Sequence, residues 1–155
     1  MNGDDFYISI ITLSKNDNKK FLRTLKSIIS QKIEVKIEWI IIDGSRYTTQ
    51  NKKKKLIRNF FEKDKQNNIY LNFINSREKG IYGIYPCMNY GKKIALGKYI
   101  IFLNSGDIFF NNNSLKILIE SSLDADPNNS FIFGQANNKM LNSFDKNTCL
   151  LLYTL

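Results

Sequence analysis

IEWIIIDGS, residues 37–45, is the stretch on which the fold turns. Four isoleucines and a tryptophan stand almost without interruption, so neither face of the segment is meant for water. A strand half-exposed in an antiparallel sheet would alternate, whereas a continuous apolar, β-branched run belongs inside a parallel sheet covered on both sides. The run stops at Asp43, and Gly44-Ser45 turns the chain. Three other stretches share this character: YISIITL at 7–13, residues 69–74, and KYIIFL at 98–103, with a shorter fifth strand expected at 130–134.

Helical patterns fill the intervals. Asn16 and Asp17 can cap a helix in which Phe21, Leu22, Leu25, Ile28 and Ile29 recur at helical spacing. Residues 51–64 alternate lysines with Leu56, Ile57, Phe60 and Phe61. Residues 76–86 are rich in Gly and Tyr and read as a loop. Pro86 suits the first turn of a helix running to about Leu96, with Gly97 as its stop. Residues 113–123 make a further helix, with Asn113 as a candidate cap. Regular alternation of strand and helix implies an α/β architecture, a mostly parallel sheet flanked by helices and joined by right-handed crossovers. The rhythm fades after residue 136. The expected division is therefore a ligand-binding domain over 1–136 and an irregular C-terminal tail over 137–155.

Composition narrows the chemistry. The 155 residues contain no histidine, which excludes Ser-His-Asp and Cys-His catalysis and His-ligated metals. Cys87 and Cys149 stand far apart, so two reduced thiols are expected rather than a disulfide framework or a zinc site. No apolar stretch approaches the roughly 18 residues of a membrane helix. Asp4 and Asp5 occupy the place of a basic leader, so a cytoplasmic protein is expected. The net charge is +9, and residues 111–155 contribute −1 of it. A basic body suits anionic partners: nucleoside diphosphates, an acidic membrane surface touched peripherally, or nucleic acid. Nucleic acid is not expected, because no recognition motif accompanies the charge. The run Lys52-Lys53-Lys54-Lys55 reads as a solvated helix face.

Ligands in open parallel sheets bind beyond the carboxyl ends of the strands. Three such ends are polar here: Thr12 to Ser14, Asp43-Gly44-Ser45, and Asn104-Ser105-Gly106-Asp107. Either acid alone is an ordinary turn initiator. Two acids after two buried strands point to a ligand site.

Between these ends lies SREKGIYGIYPCMNYG, residues 76–91, followed by ALGKYIIFLNSGD at 95–107. Together with ISIITLSKN at 8–16, FLRTLKSIISQ at 21–31 and EWIIIDGSRYT at 38–48, this order of motifs over residues 6–136 resembles the family 2 glycosyltransferases. The resemblance implies a Rossmann-like GT-A fold, that of nucleotide-diphospho-sugar transferases. It implies an inverting enzyme of polysaccharide biosynthesis that moves a sugar from a nucleotide diphosphate sugar to a glycan or lipid-linked acceptor. Thr12 then matches the pocket wall at the end of strand one. Asp43, in its turn with Gly44 and Ser45, matches the acid that accepts from the base or ribose. Arg77 and Lys79 either screen the diphosphate or are ordinary loop charges. Asn89 and Asn104 match polar positions near the donor. Asp107 matches the acid that closes a DxD-type motif and holds Mg²⁺ or Mn²⁺.

The sequence also departs from the family. The DxD is reduced to one carboxylate, the 76–91 loop carries an extra Gly83-Ile84-Tyr85, and SRYTTQN lacks the acid usual after its serine. No acid matches the acceptor-side catalytic base, and Asp124, Asp126 and Asp145 read as turn and surface residues. The expectation is thus a truncated transferase or its donor-binding half, with a catalytically inactive nucleotide-sugar-binding module as the alternative.

Overall fold

The computed structural model describes residues 6–64, 68–123, 132–136 and 148–154. Its elements run β1 (Ile8–Ser14), α1 (Asn18–Ile29), β2 (Ile37–Asp43), α2 (Tyr47–Asp64), β3 (Ile69–Asn75), α3 (Ile84–Ile94), β4 (Tyr99–Phe102), α4 (Ser114–Leu123), β5 (Ile132–Ala136) and β6 (Thr148–Thr154). The four apolar runs become β1 to β4, and the helices fall between them. Sheet order is β3-β2-β1-β4-β6-β5. Strands β1, β2, β3 and β4 pair in parallel, and β6 lies antiparallel to both β4 and β5.

Both faces of β1 and β2 are covered, as their continuous apolar character requires. On one face Ile8, Ile10, Trp39 and Ile41 pack with Phe21, Leu25 and Ile28 of α1, Ile57 of α2, and Leu115 and Leu118 of α4. On the other, Ile11, Ile40, Ile42 and Ile100 pack beside Cys87 of α3 and Ala95 just after it. Burial pushes the Cys87 thiol above its ordinary range, opposed by a hydrogen bond with Ser76, in keeping with an inert core thiol. Asp17 caps α1 by accepting from the Lys20 N–H at 2.8 Å.

Three expectations change. Helix α2 begins at Tyr47, four residues before the lysine-rich pattern. Helix α3 starts at Ile84, inside the stretch read as loop. Pro86 still falls in its first turn, where a missing N–H costs no helical bond. Gly97 is not the stop of α3, which ends at Ile94 with Ala95 as its cap. A side chain at Gly97 would place Cβ 2.4 Å from the Ser9 backbone nitrogen, so glycine is required there by close approach of two backbones. The tail is corrected more strongly. Thr148–Thr154, expected to be irregular, is a strand inserted between β4 and β5, and its apolar run gains the sheet partners that sequence reading could not find. Residues 137–147, like Asp124, Asp126 and Asp145, lie outside the described residues. No described helix is long and apolar enough to cross a membrane.

Candidate functional site

Parallel register aligns the carboxyl ends of three strands, so Ser14, Asp43 and Asn75 stand in a row across β1, β2 and β3. Lys53 of α2 comes up beneath this row. Its ammonium donates to Ser14 Oγ at 2.7 Å, Asp43 Oδ2 at 2.9 Å and Ser45 Oγ at 2.9 Å. An ammonium has three donors, and all three are used. The second Asp43 oxygen, Oδ1, accepts the Ser45 N–H at 2.7 Å. Both charged side chains are 0% exposed, and the Lys53 nitrogen lies 5.4 Å from the centre of the Phe21 ring. The pair meets the condition under which a buried ion pair is tolerated: opposite charge in contact and the remaining polar atoms hydrogen-bonded. Gln50 adds bonds to the carbonyls of Asp43 and Ser45 and to Asn75 Oδ1. The Asn16 N–H donates to Ser45 Oγ. The loops after β1, β2 and β3 are thereby tied into one network.

Beyond β4, the turn Asn104–Asp107 is held differently. Asp107 is exposed, and its Oδ2 accepts the Asn104 N–H at 3.0 Å. Gly106 has φ +109°, which a side chain would resist. Thr24 of α1 clasps the turn: its hydroxyl accepts from the Gly106 N–H at 2.8 Å and donates to the Asp107 carbonyl at 2.8 Å. One helical turn on, Ser27 Oγ accepts the Phe109 N–H at 2.6 Å. Next, Gln31 donates to the Asn111 carbonyl and accepts from the Leu115 N–H. Thr24 and Ser27 share one face of α1, and Gln31 continues their line just past its C-cap, Ser30. They form a polar seam that fixes the whole path from the Asp107 turn to the start of α4.

Thr24→Val, nearly isosteric, should therefore destabilise the fold by about 1–3 kcal/mol by leaving the Gly106 N–H and the Asp107 carbonyl without partners. Thr24→Ser should recover most of the loss. Urea denaturation of the three proteins decides the matter, and a valine variant as stable as wild type would show that the seam contributes nothing.

No family model and no curated protein sequence matches the chain. Solved structures do. TarS of S. aureus (residues 1–349) superposes with a TM-score of 0.58 at 21% identity, over 77% of this chain and 33% of that one. TarS has also been solved with UDP-GlcNAc. The mannosyltransferase PcManGT from Pyrobaculum calidifontis, in complex with GDP-Man and Mn²⁺, gives 0.59 at 18% identity, over 78% of this chain and 33% of that one. The 4-diphosphocytidyl-2C-methyl-D-erythritol synthase of Anaerococcus prevotii gives 0.51 at 14% identity, over 96% of this chain and 63% of that one. The chain has the GT-A fold. It spans about a third of the length of TarS 1–349 and of PcManGT.

On this GT-A sheet, the residues singled out in the sequence divide into two groups. Asp43 and Ser45 come together in the Lys53 cluster, and the Gly44 N–H closes onto the Ser14 carbonyl beside them. Thr12 is fully buried, and its hydroxyl accepts from the Trp39 indole N–H at 2.9 Å. Thr12, expected at the pocket wall, and Asp43, expected to accept from the base or ribose, are both buried, and a tryptophan and a lysine from within the chain engage their polar atoms.

The second group is open to solvent. Arg77 and Lys79 are exposed in the turn after β3, and Asn89 is exposed on α3, at the edge of a shallow depression of about 530 Å³ that Tyr82 and Lys93 also line. Asn104 is half-buried and Asp107 exposed after β4. No cluster of three Asp, Glu or Cys groups able to hold a metal occurs among the described residues. The Asn104–Asp107 turn nevertheless has hard-oxygen character, since Asn104 Oδ1 and Ser105 Oγ, in the same turn as the Asp107 carboxylate, are buried without a hydrogen-bond partner among the described residues. That donor set fits a shared cation, one whose charge is met mainly by a bound anion.

Sequence reading missed the parts played by Lys53, Gln50 and Thr24, and found Ser14 only as a polar strand end. The signal for Lys53 was its phase: it is three residues before Leu56 and four before Ile57, on the buried side of α2. For Thr24 it was the spacing of polar residues inside an otherwise apolar helix face.

Proposed function

We propose that this chain is the donor-binding part of an inverting family 2 glycosyltransferase, taking a nucleotide diphosphate sugar as donor and a glycan or lipid-linked acceptor. One observation carries the reading: the two acid-bearing turns, at Asp43 and at Asn104–Asp107, sit on the same carboxyl edge of a GT-A sheet, on either side of β1. That edge is where an open α/β sheet receives its ligand. In the reaction, the acceptor oxygen bonds to the anomeric carbon as the bond from that carbon to the diphosphate oxygen breaks. The acceptor proton passes to a base, and the nucleoside diphosphate leaves.

The described residues have distinct parts in this scheme. The Lys53–Asp43 cluster holds the β1 and β2 ends in place beneath the nucleoside. Arg77 and Lys79 supply positive charge toward the diphosphate. Asn89 and Asn104 are polar contacts at the rim. Asp107, with the free oxygens of Asn104 and Ser105, would hold a divalent ion jointly with the diphosphate. Such an ion neutralises the leaving group.

A non-catalytic nucleotide-sugar-binding module is the second reading. It is favoured by the single carboxylate of the Asn104–Asp107 turn and by the engagement of Asp43 with Lys53. Mn²⁺ titration followed by EPR should show weak binding to the protein alone and stronger binding once UDP or GDP is present. Asp107→Ala should abolish the increase. Tight Mn²⁺ binding without nucleotide, or an unchanged increase in the variant, would remove Asp107 from the site. A sugar-transfer assay on the same protein separates enzyme from binding module.

A further inference from the structure

The positive charge of this protein is concentrated on one side of the sheet. Helix α1 has four cations and no acid, and α2 has six cations against two acids, so these two helices hold +8 of the net +9. They pack against each other on the same face. Lys53 is turned inward. Lys19, Arg23 and Lys26 on α1, and Lys52, Lys55 and Arg58 on α2, are exposed, and none of the six makes an ion pair among the described residues. The two helices measure about 18 and 27 Å by their length in residues, with axes about 8–10 Å apart. The six cations therefore form a broad plate rather than a line along one helix.

We infer that this α1–α2 plate docks the protein onto an anionic lipid surface. A plate matches a plane of headgroups and does not match a groove. The apolar residues of both helices are turned into the core, so the contact is electrostatic, at headgroup depth, without insertion. Bases would find little to stack on: the one large exposed apolar or aromatic side chain recorded on α1 and α2 is Tyr47, at the end of α2 away from Arg58. Because both helices follow parallel strands, each begins at the carboxyl edge of the sheet. Docking by their outer faces leaves that edge open along the membrane plane. The inference stands independently of the transferase reading.

The test is co-sedimentation of the full chain with vesicles. Binding is expected to phosphatidylcholine vesicles containing phosphatidylglycerol, not to phosphatidylcholine alone, and should be reversed by 0.5 M salt, since surface attraction falls off within a Debye length. Each cation removed should lower the partition about five-fold. Lys52→Gln/Lys55→Gln/Arg58→Gln should thus lose about a hundredfold, whereas Lys92→Gln/Lys93→Gln on α3 should lose far less. Circular dichroism of each variant confirms that it is folded. Failure to bind anionic vesicles would overturn the inference. So would equal losses in the two variants, or displacement from vesicles by duplex DNA or single-stranded RNA at equal phosphate concentration.

Discussion

Asp43→Ala is expected to remove about 3–5 kcal/mol of folding stability, the cost of stranding one member of a buried ion pair. Lys53 would keep its two serine partners but lose its counter-charge at a position with no access to water. The Ser45 N–H would lose its acceptor as well. Removing both charges together should cost less, because no charge is stranded: Lys53→Met with Asp43→Leu leaves an apolar contact against Phe21, and the remaining cost is that of the Ser45 N–H and the two serine hydroxyls that lose the pair. Urea denaturation of the wild type, Asp43→Ala and the double variant gives the comparison. A loss below about 1 kcal/mol for Asp43→Ala would mean that the carboxylate is reached by water and available to a ligand. The prediction bears directly on binding experiments, because a fall in nucleotide affinity in Asp43→Ala must be separated from partial unfolding before it is credited to a lost base contact.

Gly97→Ala should be the other severe change. The added Cβ would lie 2.4 Å from the Ser9 nitrogen and 2.6 Å from the Ile8 carbonyl carbon. These are backbone atoms inside a strand, so no rotamer relieves the clash, and the segment before β4 must move away from β1. That movement would break the Gly97 N–H bond to Ser9 Oγ, at 2.8 Å, and the Leu96 N–H bond to Glu38 Oε2, at 2.9 Å. Glu38 is a buried carboxylate, 4% exposed, and among the described residues would retain only its bond from Ser9 Oγ. Overpacking together with weakened support of a buried charge should cost about 3 kcal/mol or more. A thermal midpoint within a few degrees of wild type would show that the β1–β4 junction can open freely.

The parallel strands and their helices were legible because their signal is local: continuous β-branched runs, a capping aspartate, and helical spacing of apolar residues. Strand β2 was bounded correctly at both ends from its sequence, since the apolar run stops where burial stops. The sixth strand was not legible. Its apolar residues carry no period, and its partner β4 lies some fifty residues earlier. At the site, sequence found the turns but not their state. Asp43 looks the same in a one-dimensional pattern whether it faces solvent or Lys53. The four consecutive lysines look alike until the helix phase turns one of them inward. Asp107 was readable as part of a turn because Ser105 and Gly106 precede it, but its clasp by Thr24 joins residues more than eighty positions apart.

The placement of β6 imposes an order in time. Among the described strands β5 pairs with β6 alone, so within this sheet residues 132–136 gain their partner when residues 148–154 exist. A ribosome adding about 5–20 residues per second needs some seconds to go from the end of β4 to the end of β6. Through that interval the parallel unit β3-β2-β1-β4 can already be assembled, with β4 as its bare edge. Unpaired edges recruit other chains. The newborn protein is therefore most vulnerable to aggregation after its four parallel strands have formed and before β6 arrives.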